Sequence, residues 1–433
     1  MNIIKYPNPA QVAALLTRPT DGQAAERREK VAALLAAVRA EGNAAVRRLA
    51  QQFDGFAPEN LEVTEAEFAA AEHAVSPALQ AAIRQAYANI RTFHERQWEH
   101  AQPVETMPGV TCWRKSVAIE RVGLYIPGGT APLFSTALML GVPAQIAGCQ
   151  KVILCTPPQP GGAVHPAVLF AAKLCGIRRV FKIGGVQAIG AMAYGTQTVP
   201  QVWKIFGPGN AWVTAAKQLV SLDNVAIDMP AGPSEVCVVA DSTANPAFVA
   251  ADLLSQAEHG ADSQVLLISD SEILMQQVEN ELKKQIVELP RRDFAEKSLA
   301  NSHAVLVNNL NDAMAISNAY APEHLILQVA EPEFWAGKVT NAGSVFLGPF
   351  TPESAGDYAS GTNHTLPTGG WARVYAGVSL DSFLKKITFQ QITSSGLKML
   401  GSAITEMARA EDLEAHARAV DVRLAIAPDG FPF

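Results

Sequence analysis

The sequence predicts an α/β protein: two blocks of alternating strands and helices in series, with helical segments at both ends. Three observations predict it. Short β-rich runs recur through the middle of the chain between stretches of helical periodicity, the pattern of βαβ units and a mostly parallel sheet. Of the 433 residues, 48% are hydrophobic and only 17% charged, enough apolar surface for sizeable cores and unlike a disordered chain. The two ends carry helical spacing without the alternation.

Residues 1–116 form the first segment, read as helical and expected to pack on the second α/β block. Thr64 and Glu67 make a capping-box pattern ahead of an alanine-rich run. Ser76 followed by Pro77 starts a helix, and Leu79, Ile83, Ala86, Ile90 and Phe93 then recur at helical spacing. Residues 117–232 form the first α/β domain, with strand candidates at Gly123–Ile126, Lys151–Cys155, Arg179–Ile183, Val202–Phe206 and Val225–Asp228. Residues 233–375 repeat the pattern with Glu235–Val239, Gln264–Ile268, Ala304–Val307, Leu325–Val329 and Ser344–Leu347. One helix of this second domain has Asn245 as N-cap and Pro246 as its first residue, and closes before Gly260. Residues 376–433 form a C-terminal helical tail with helices around Ala403–Met407 and Leu413–Leu424.

Composition narrows the function classes. The net charge is −7 and no Lys/Arg-rich block stands out, so nucleic acid is not the expected partner. No run of about 18 apolar residues reads as a membrane span. Met1–Arg18 lacks the basic-then-apolar pattern of a secretion signal, which makes a cytoplasmic protein the expectation. The five cysteines form no CxxC clip, so neither a disulfide framework nor a thiolate zinc site is indicated.

Several short constellations could carry chemistry. Gln256 and His259 are three apart near the end of a predicted helix and project from one face. An amide oxygen and a neutral imidazole can both ligate zinc, although glutamine is an uncommon ligand. A histidine at a helix C-terminus is also favoured by the helix dipole alone. Glu323 and His324 sit at a helix–strand junction, where a carboxylate beside an imidazole supplies a base and a partner that activates water. A polar turn reads the same way. The glycine-rich loop Ser354–His364 carries Asp357 and His364 just after a candidate strand, where functional groups concentrate. His416, read alone, is an exposed helical histidine, and Glu411 five residues earlier would not share its face in mid-helix.

No GxGxxG opens a helix after a strand, so the usual dinucleotide fingerprint is missing. Three strand-end turns stand in its place: Tyr125-Ile-Pro-Gly-Gly129, Gly184-Gly-Val-Gln187 and Gly207-Pro-Gly-Asn210. Their context suits an anion at a helix N-terminus, and three in one block indicate a ligand crevice at the strand ends.

Taken together, the segments resemble the histidinol dehydrogenase family. The runs that carry the resemblance are Gly123-Leu-Tyr-Ile-Pro-Gly-Gly129, Ala131-Pro-Leu-Phe-Ser-Thr136, Phe206-Gly-Pro-Gly-Asn-Ala211, Ile227-Asp-Met-Pro-Ala-Gly-Pro-Ser-Glu235, Leu253-Leu-Ser-Gln-Ala-Glu-His259, Pro322-Glu-His-Leu325 and Glu353-Ser-Ala-Gly-Asp-Tyr-Ala-Ser-Gly-Thr-Asn-His364. The resemblance implies two incomplete Rossmann-like domains of the aldehyde dehydrogenase type. It implies an NAD-dependent enzyme that oxidises L-histidinol through L-histidinal to L-histidine, the end of histidine biosynthesis. Carried over by motif, one zinc per subunit would be held by Gln256, His259, Asp357 and His416, which would thereby also touch the substrate. Ser234, His324, His364 and Glu411 would add substrate contacts, and Tyr125, Gln187 and Asn210 would meet NAD. His324 would be the base and Glu323 would activate water. The working unit would be a homodimer whose C-terminal tail reaches the partner's site, so that Glu411 and His416 serve the other subunit.

Three rival readings stay open at the level of sequence. A zinc-free aldehyde dehydrogenase would use a catalytic cysteine. A two-lobed binding module would transfer no hydride. A related zinc and NAD enzyme would oxidise another amino alcohol or a sulfonated one, although the carboxylate of Glu411 suits a cationic amine.

Overall fold

The computed structural model describes residues 1–18, 22–99, 101–128, 132–230 and 232–426. Gly129, Ala131 and Ala231, which fall in the motif runs above, lie outside the described residues. The chain divides into two compact units, Met1–Gln97 with Ile119–Phe383, and Trp98–Ala118 with Leu384–Phe433. Among the described residues no helix is long and apolar enough to cross a membrane.

The larger unit opens with strand β1 (Asn2–Lys5) and helices α1 (Pro9–Leu16), α2 (Ala24–Glu41), α3 (Asn43–Phe53), α4 (Glu65–Ala74) and α5 (Pro77–Glu95). Strands β2 (Val104–Met107) and β3 (Val110–Ala118) belong to the smaller unit. The first α/β block then runs β4 (Arg121–Tyr125), α6 (Phe134–Ala147), β5 (Lys151–Thr156), α7 (Pro166–Leu174), β6 (Arg179–Lys182), α8 (Gly185–Tyr194), β7 (Lys204–Phe206), α9 (Ala211–Val220) and β8 (Ala226–Ile227). Its strands pair in parallel in the order β6-β5-β4-β7-β8. The chain winds outward from β4 to β6, then returns to lay β7 on the other side of β4. That reversal opens a crevice at the carboxyl ends of β4 and β7.

The second block runs β9 (Glu235–Ala240), α10 (Pro246–Ala257), β10 (Gln264–Ser269), α11 (Glu272–Gln285), α12 (Arg292–Ala300), β11 (His303–Leu306), α13 (Leu310–Tyr320), β12 (His324–Gln328), α14 (Pro332–Ala336), β13 (Ser344–Leu347) and α15 (Glu353–Tyr358). Its sheet is also parallel, ordered β1-β11-β10-β9-β12-β13, with the same reversal between β9 and β12. Strands β9 and β12 are buried along their whole length, as parallel strands covered on both faces must be. The paired strands explain why the hydrophobic runs are continuous here and not alternating.

The N-terminal helices differ from expectation in two ways. They were expected on the second block, yet α2 packs on α8 and α9, α3 on α8, α4 on α7 and α5 on α6, all helices of the first. Val31, Leu35 and Val38 of α2 enter the core that also holds Ile189, Met192 and Val213. Gly190 makes this possible: a Cβ there would meet Leu35 and Val38 side chains at 3.1–3.2 Å. Only β1, which adds to the edge of the second sheet, and α1, which packs on α13, follow the expectation. Nor is the segment helical throughout, because residues 104–118 form β2 and β3.

In the smaller unit β3 pairs antiparallel with β2 and with β14 (Leu384–Ile392), followed by α16 (Ser394–Ala410) and α17 (Glu414–Ile426). The tail is thus not purely helical. Trp113 and Phe389 face each other across the β3–β14 ladder with stacked rings 5.5 Å apart, a cross-strand aromatic pair of the kind that stabilises such ribbons. The helices α16 and α17 pack on one another with Gly401 under Val420 and Leu424.

Candidate functional site

Ligand sites in open parallel sheets form at carboxyl ends next to a reversal in strand order. The first block obeys this rule and the second inverts it. Its chemistry-bearing residues lie at the amino end of its reversal: Ser234 and Glu235 at the start of β9, Glu323 and His324 at the start of β12. A cavity of about 110 Å³ joins the two sides, lined by the Gly207–Gly209 turn after β7 and by Ser234, Glu323 and His364. Through Gly209, Gly232 and Ser234 it adjoins a cleft of about 690 Å³ that takes in Asn210 and His259.

His324 is 3% exposed and Glu323 6%. Both are tied to one backbone unit. The Glu235 N–H donates to Glu323 Oε2 (2.9 Å) and the Glu235 carbonyl accepts from His324 Nδ1 (3.1 Å). That second bond fixes the tautomer: with its proton on Nδ1, the neutral ring presents a lone pair at Nε2. Nε2 is buried without a hydrogen-bond partner and lies 3.5 Å from Asp357 Oδ1. Burial alone would lower the His324 pKa, but the Glu353, Glu323 and Asp357 carboxylates outweigh it and push it up to about 10. Burial pushes Glu323 up to about 8, against the opposing pull of His324 and of the Glu235 N–H.

Beside this pair, His259, Glu353 and Asp357 bring ligand atoms within 4.8 Å of one another. Glu353 and Asp357 are four apart on α15 and therefore share a face. Glu353 is 1% exposed with neither carboxylate oxygen hydrogen-bonded, and burial holds its pKa well above the ordinary range. Gln256 on α10 is fully buried, and its Oε1 and Nε2 both lack partners. An unpaired buried amide costs about 1–3 kcal/mol, so this arrangement calls for a ligand from outside the protein. Asp357 is held low: burial would raise it, but the His324 contact and the charges of His324, His364 and His259 prevail. A set of imidazole, amide and carboxylate donors with orphaned buried atoms fits a divalent cation such as zinc. His364 uses both ring nitrogens locally, donating from Nδ1 to the Asp357 carbonyl (2.8 Å) and accepting at Nε2 from Thr136 Oγ1 (3.1 Å). It closes the loop that follows α15.

On the other side, Tyr125 ends β4 and its hydroxyl accepts from the Gly185 N–H (3.1 Å). Gln187 is buried on α8 with Nε2 3.4 Å from Asp54 Oδ2. Asn210 caps α9, accepting from Trp212 N–H and Val213 N–H at 3.0 and 3.1 Å. The turn before it is clamped from both faces. Gly207 donates its N–H to Asp228 Oδ2 and accepts from Lys217 Nζ, each at 2.8 Å, while Lys217 and Asp228 form a buried ion pair. Gly207 has φ +129°, and a Cβ there would run into the Tyr125 carbonyl, so only glycine lets the turn approach β4 this closely.

Glu411 follows α16 as its C-cap residue and His416 lies on α17; both are exposed in the smaller unit. The larger unit thus brings together Gln256, His259, Glu323, His324, Asp357 and His364, with Ser234 on the cavity wall. Sequence reasoning missed Glu353, because residues 354–364 read as a loop; the helical spacing from Asp357 was the available signal. It also missed Glu235 and the Lys217–Asp228 pair, whose partners are distant in sequence. Burial pushes the thiols of half-buried Cys149 and buried Cys237 up to about 12 and those of Cys155 and Cys175 higher still, which disfavours the thiolate at all four.

Comparison with known proteins matches this architecture over nearly its whole length. The family model described as histidinol dehydrogenase matches residues 17–424. The histidinol dehydrogenase of Bacteroides thetaiotaomicron is 59% identical over 424 residues, covering 98% of this chain and 99% of the relative. That of Xanthomonas euvesicatoria pv. vesicatoria is 56% identical over 413 residues, covering 95% and 96%. The crystal structure of histidinol dehydrogenase from Elizabethkingia anophelis superposes with a TM-score of 0.95 at 50% identity, covering 98% of each chain. Both α/β blocks and the clustered site residues lie inside the matched region, and the chain belongs to the histidinol dehydrogenase family.

Proposed function

We propose that this protein oxidises L-histidinol to L-histidine through L-histidinal, using two NAD⁺ in one site. The observation that carries the reading is the buried Glu323–His324 pair set against the His259–Glu353–Asp357 cluster, with the orphaned amide of Gln256 beside it. The cavity between Glu323 and the Gly207–Gly209 turn supports a hydride acceptor arriving from the first block, where Tyr125, Gln187 and Asn210 would meet it. Gln256, His259 and Asp357, with His416 of the partner subunit, would hold zinc, and Glu353 is within reach of the same centre. Bound there, zinc would supply a template that orients the substrate's imidazole and amine, and positive charge that offsets the carboxylates around His324.

The protein's own groups manage the protons. His324 Nε2 takes the hydroxyl proton as the carbinol hydride passes to the nicotinamide. Glu323 then draws a proton from the water that adds to the aldehyde while His324 returns its proton to the carbonyl oxygen; neutral again, His324 takes the hydroxyl proton of the hydrate as the second hydride passes to the second NAD⁺. Ser234 and His364 bound the substrate, and Glu411 of the partner subunit would meet its cationic amine. In this reading the C-terminal tail reaches a second copy of the chain and completes its site, and the sheets at 117–232 and 233–375 act as nucleotide and substrate domains. A sulfonated alcohol, whose anionic group the Glu411 carboxylate would repel, would need a partner other than Glu411.

Glu323→Gln tests the division of labour. The variant is expected to oxidise histidinol to the aldehyde while losing on the order of 100-fold on supplied histidinal, because only the second step needs an activated water. Equal losses on both substrates would remove Glu323 from that role.

A further inference from the structure

Arg18 lies far from the cluster in sequence and outside every motif, yet it is the anchor of the residue that holds the catalytic pair. Its guanidinium makes a bidentate pair with Glu235, Nε to Oε1 at 2.8 Å and Nη2 to Oε2 at 3.0 Å. Glu235 is 2% exposed. The same Nη2 donates to the Tyr320 carbonyl (2.8 Å), and the guanidinium lies over the Tyr320 ring, 3.5 Å from its centroid. Tyr320 ends α13, three residues before Glu323. One rigid fork therefore joins the start of β9 to the turn that delivers β12. Lysine could not reproduce this, because its point charge makes neither the bidentate contact nor the stacking.

Glu235 is the only residue among those described whose backbone reaches both catalytic side chains: its N–H donates to Glu323 and its carbonyl accepts from His324 Nδ1. A displacement of the Glu235 backbone shifts both contacts and loosens the hydrogen bond that fixes the tautomer with Nε2 open. We propose that Arg18 is a positioning residue for the reaction, acting through Glu235 on Glu323 and His324; the inference rests on their catalytic roles proposed above. A misplacement of about 1 Å at reacting groups costs on the order of 100-fold in rate, so an anchor of this kind has leverage without touching the substrate.

The test is a kinetic cycle on the full-length protein with its metal. Arg18→Gln and Arg18→Lys are each made in the native sequence and in a His324→Gln background. Arg18→Gln is expected to lower kcat on histidinol by on the order of 10–100-fold, with KM for histidinol and NAD⁺ within about twofold. Arg18→Lys should recover part of the loss, and it carries the cycle if Arg18→Gln does not fold. In the His324→Gln background the same change should cost less than about twofold, since the group it positions is gone. An unchanged kcat in folded Arg18→Gln, or an equal loss in both backgrounds, would overturn the proposal. A readout independent of turnover separates it from the assigned activity. In protein labelled with ¹⁵N-histidine, the His324 Nδ1–H resonance, identified by its loss in His324→Gln, should shift in the Arg18 variants. If the native protein turns over no histidinol, the proposed activity falls and this resonance still decides the tether: a shift supports it and an unmoved line refutes it.

Discussion

Replacing His324 with glutamine is expected to lower kcat on histidinol by on the order of 10³-fold while leaving metal content and both KM values near native. A positioned general base contributes about 10²–10⁴-fold, and His324 is the group whose Nε2 is left open by the Glu235 carbonyl. Glutamine keeps a polar body in the pocket but cannot take up a proton. The effect should sit in kcat, because the proton moves only in the transition state. Steady-state kinetics with metal analysis by plasma emission checks this; an unchanged kcat would remove His324 from the mechanism.

The second large effect is expected from His259→Asn. His259 contributes the imidazole of the His259–Glu353–Asp357 cluster, and it stands three residues from the orphaned amide of Gln256. Removing the imidazole should strip zinc from the protein and take turnover to background. It should also abolish the rise in Tm that added zinc gives the native protein, because a ligand that binds only the folded state stabilises it in proportion to its affinity. Metal stoichiometry and thermal melts with and without zinc read this out. Full zinc occupancy in the variant would show that the cluster is not the metal site.

Much of the fold was legible because its signals are local. The strands of both parallel sheets announce themselves as apolar runs between turn residues, and α10 carries its Asn245 cap and Pro246 start in plain sequence. The β2–β3–β14 ribbon did not, because its strands are mostly half-exposed or exposed and lack the buried runs that marked the others. The docking of α2–α5 was misplaced because an apolar face specifies that it will be covered, not by what; the small Gly190 on α8 that accepts α2 is invisible without coordinates.

The site divides the same way. Gln256 lies in the last turn of α10 and His259 just beyond its end, so their close spacing spoke for them. Glu353 did not, because α15 is a helix of only six residues, rich in small side chains, and reads as loop. The links of Glu235 to Arg18, Glu323 and His324 span 217, 88 and 89 residues, a separation no local pattern encodes. Glu411 and His416 are exposed side chains with no local signal, and only the resemblance to a known family singled them out.

In the proposed reaction one site performs both oxidations. Its most direct test is the amount of NADH formed per histidinol consumed by the native protein with limiting substrate. Two NADH per histidinol are expected, with histidine as the product. One NADH per histidinol, with histidinal released into solution, would contradict it.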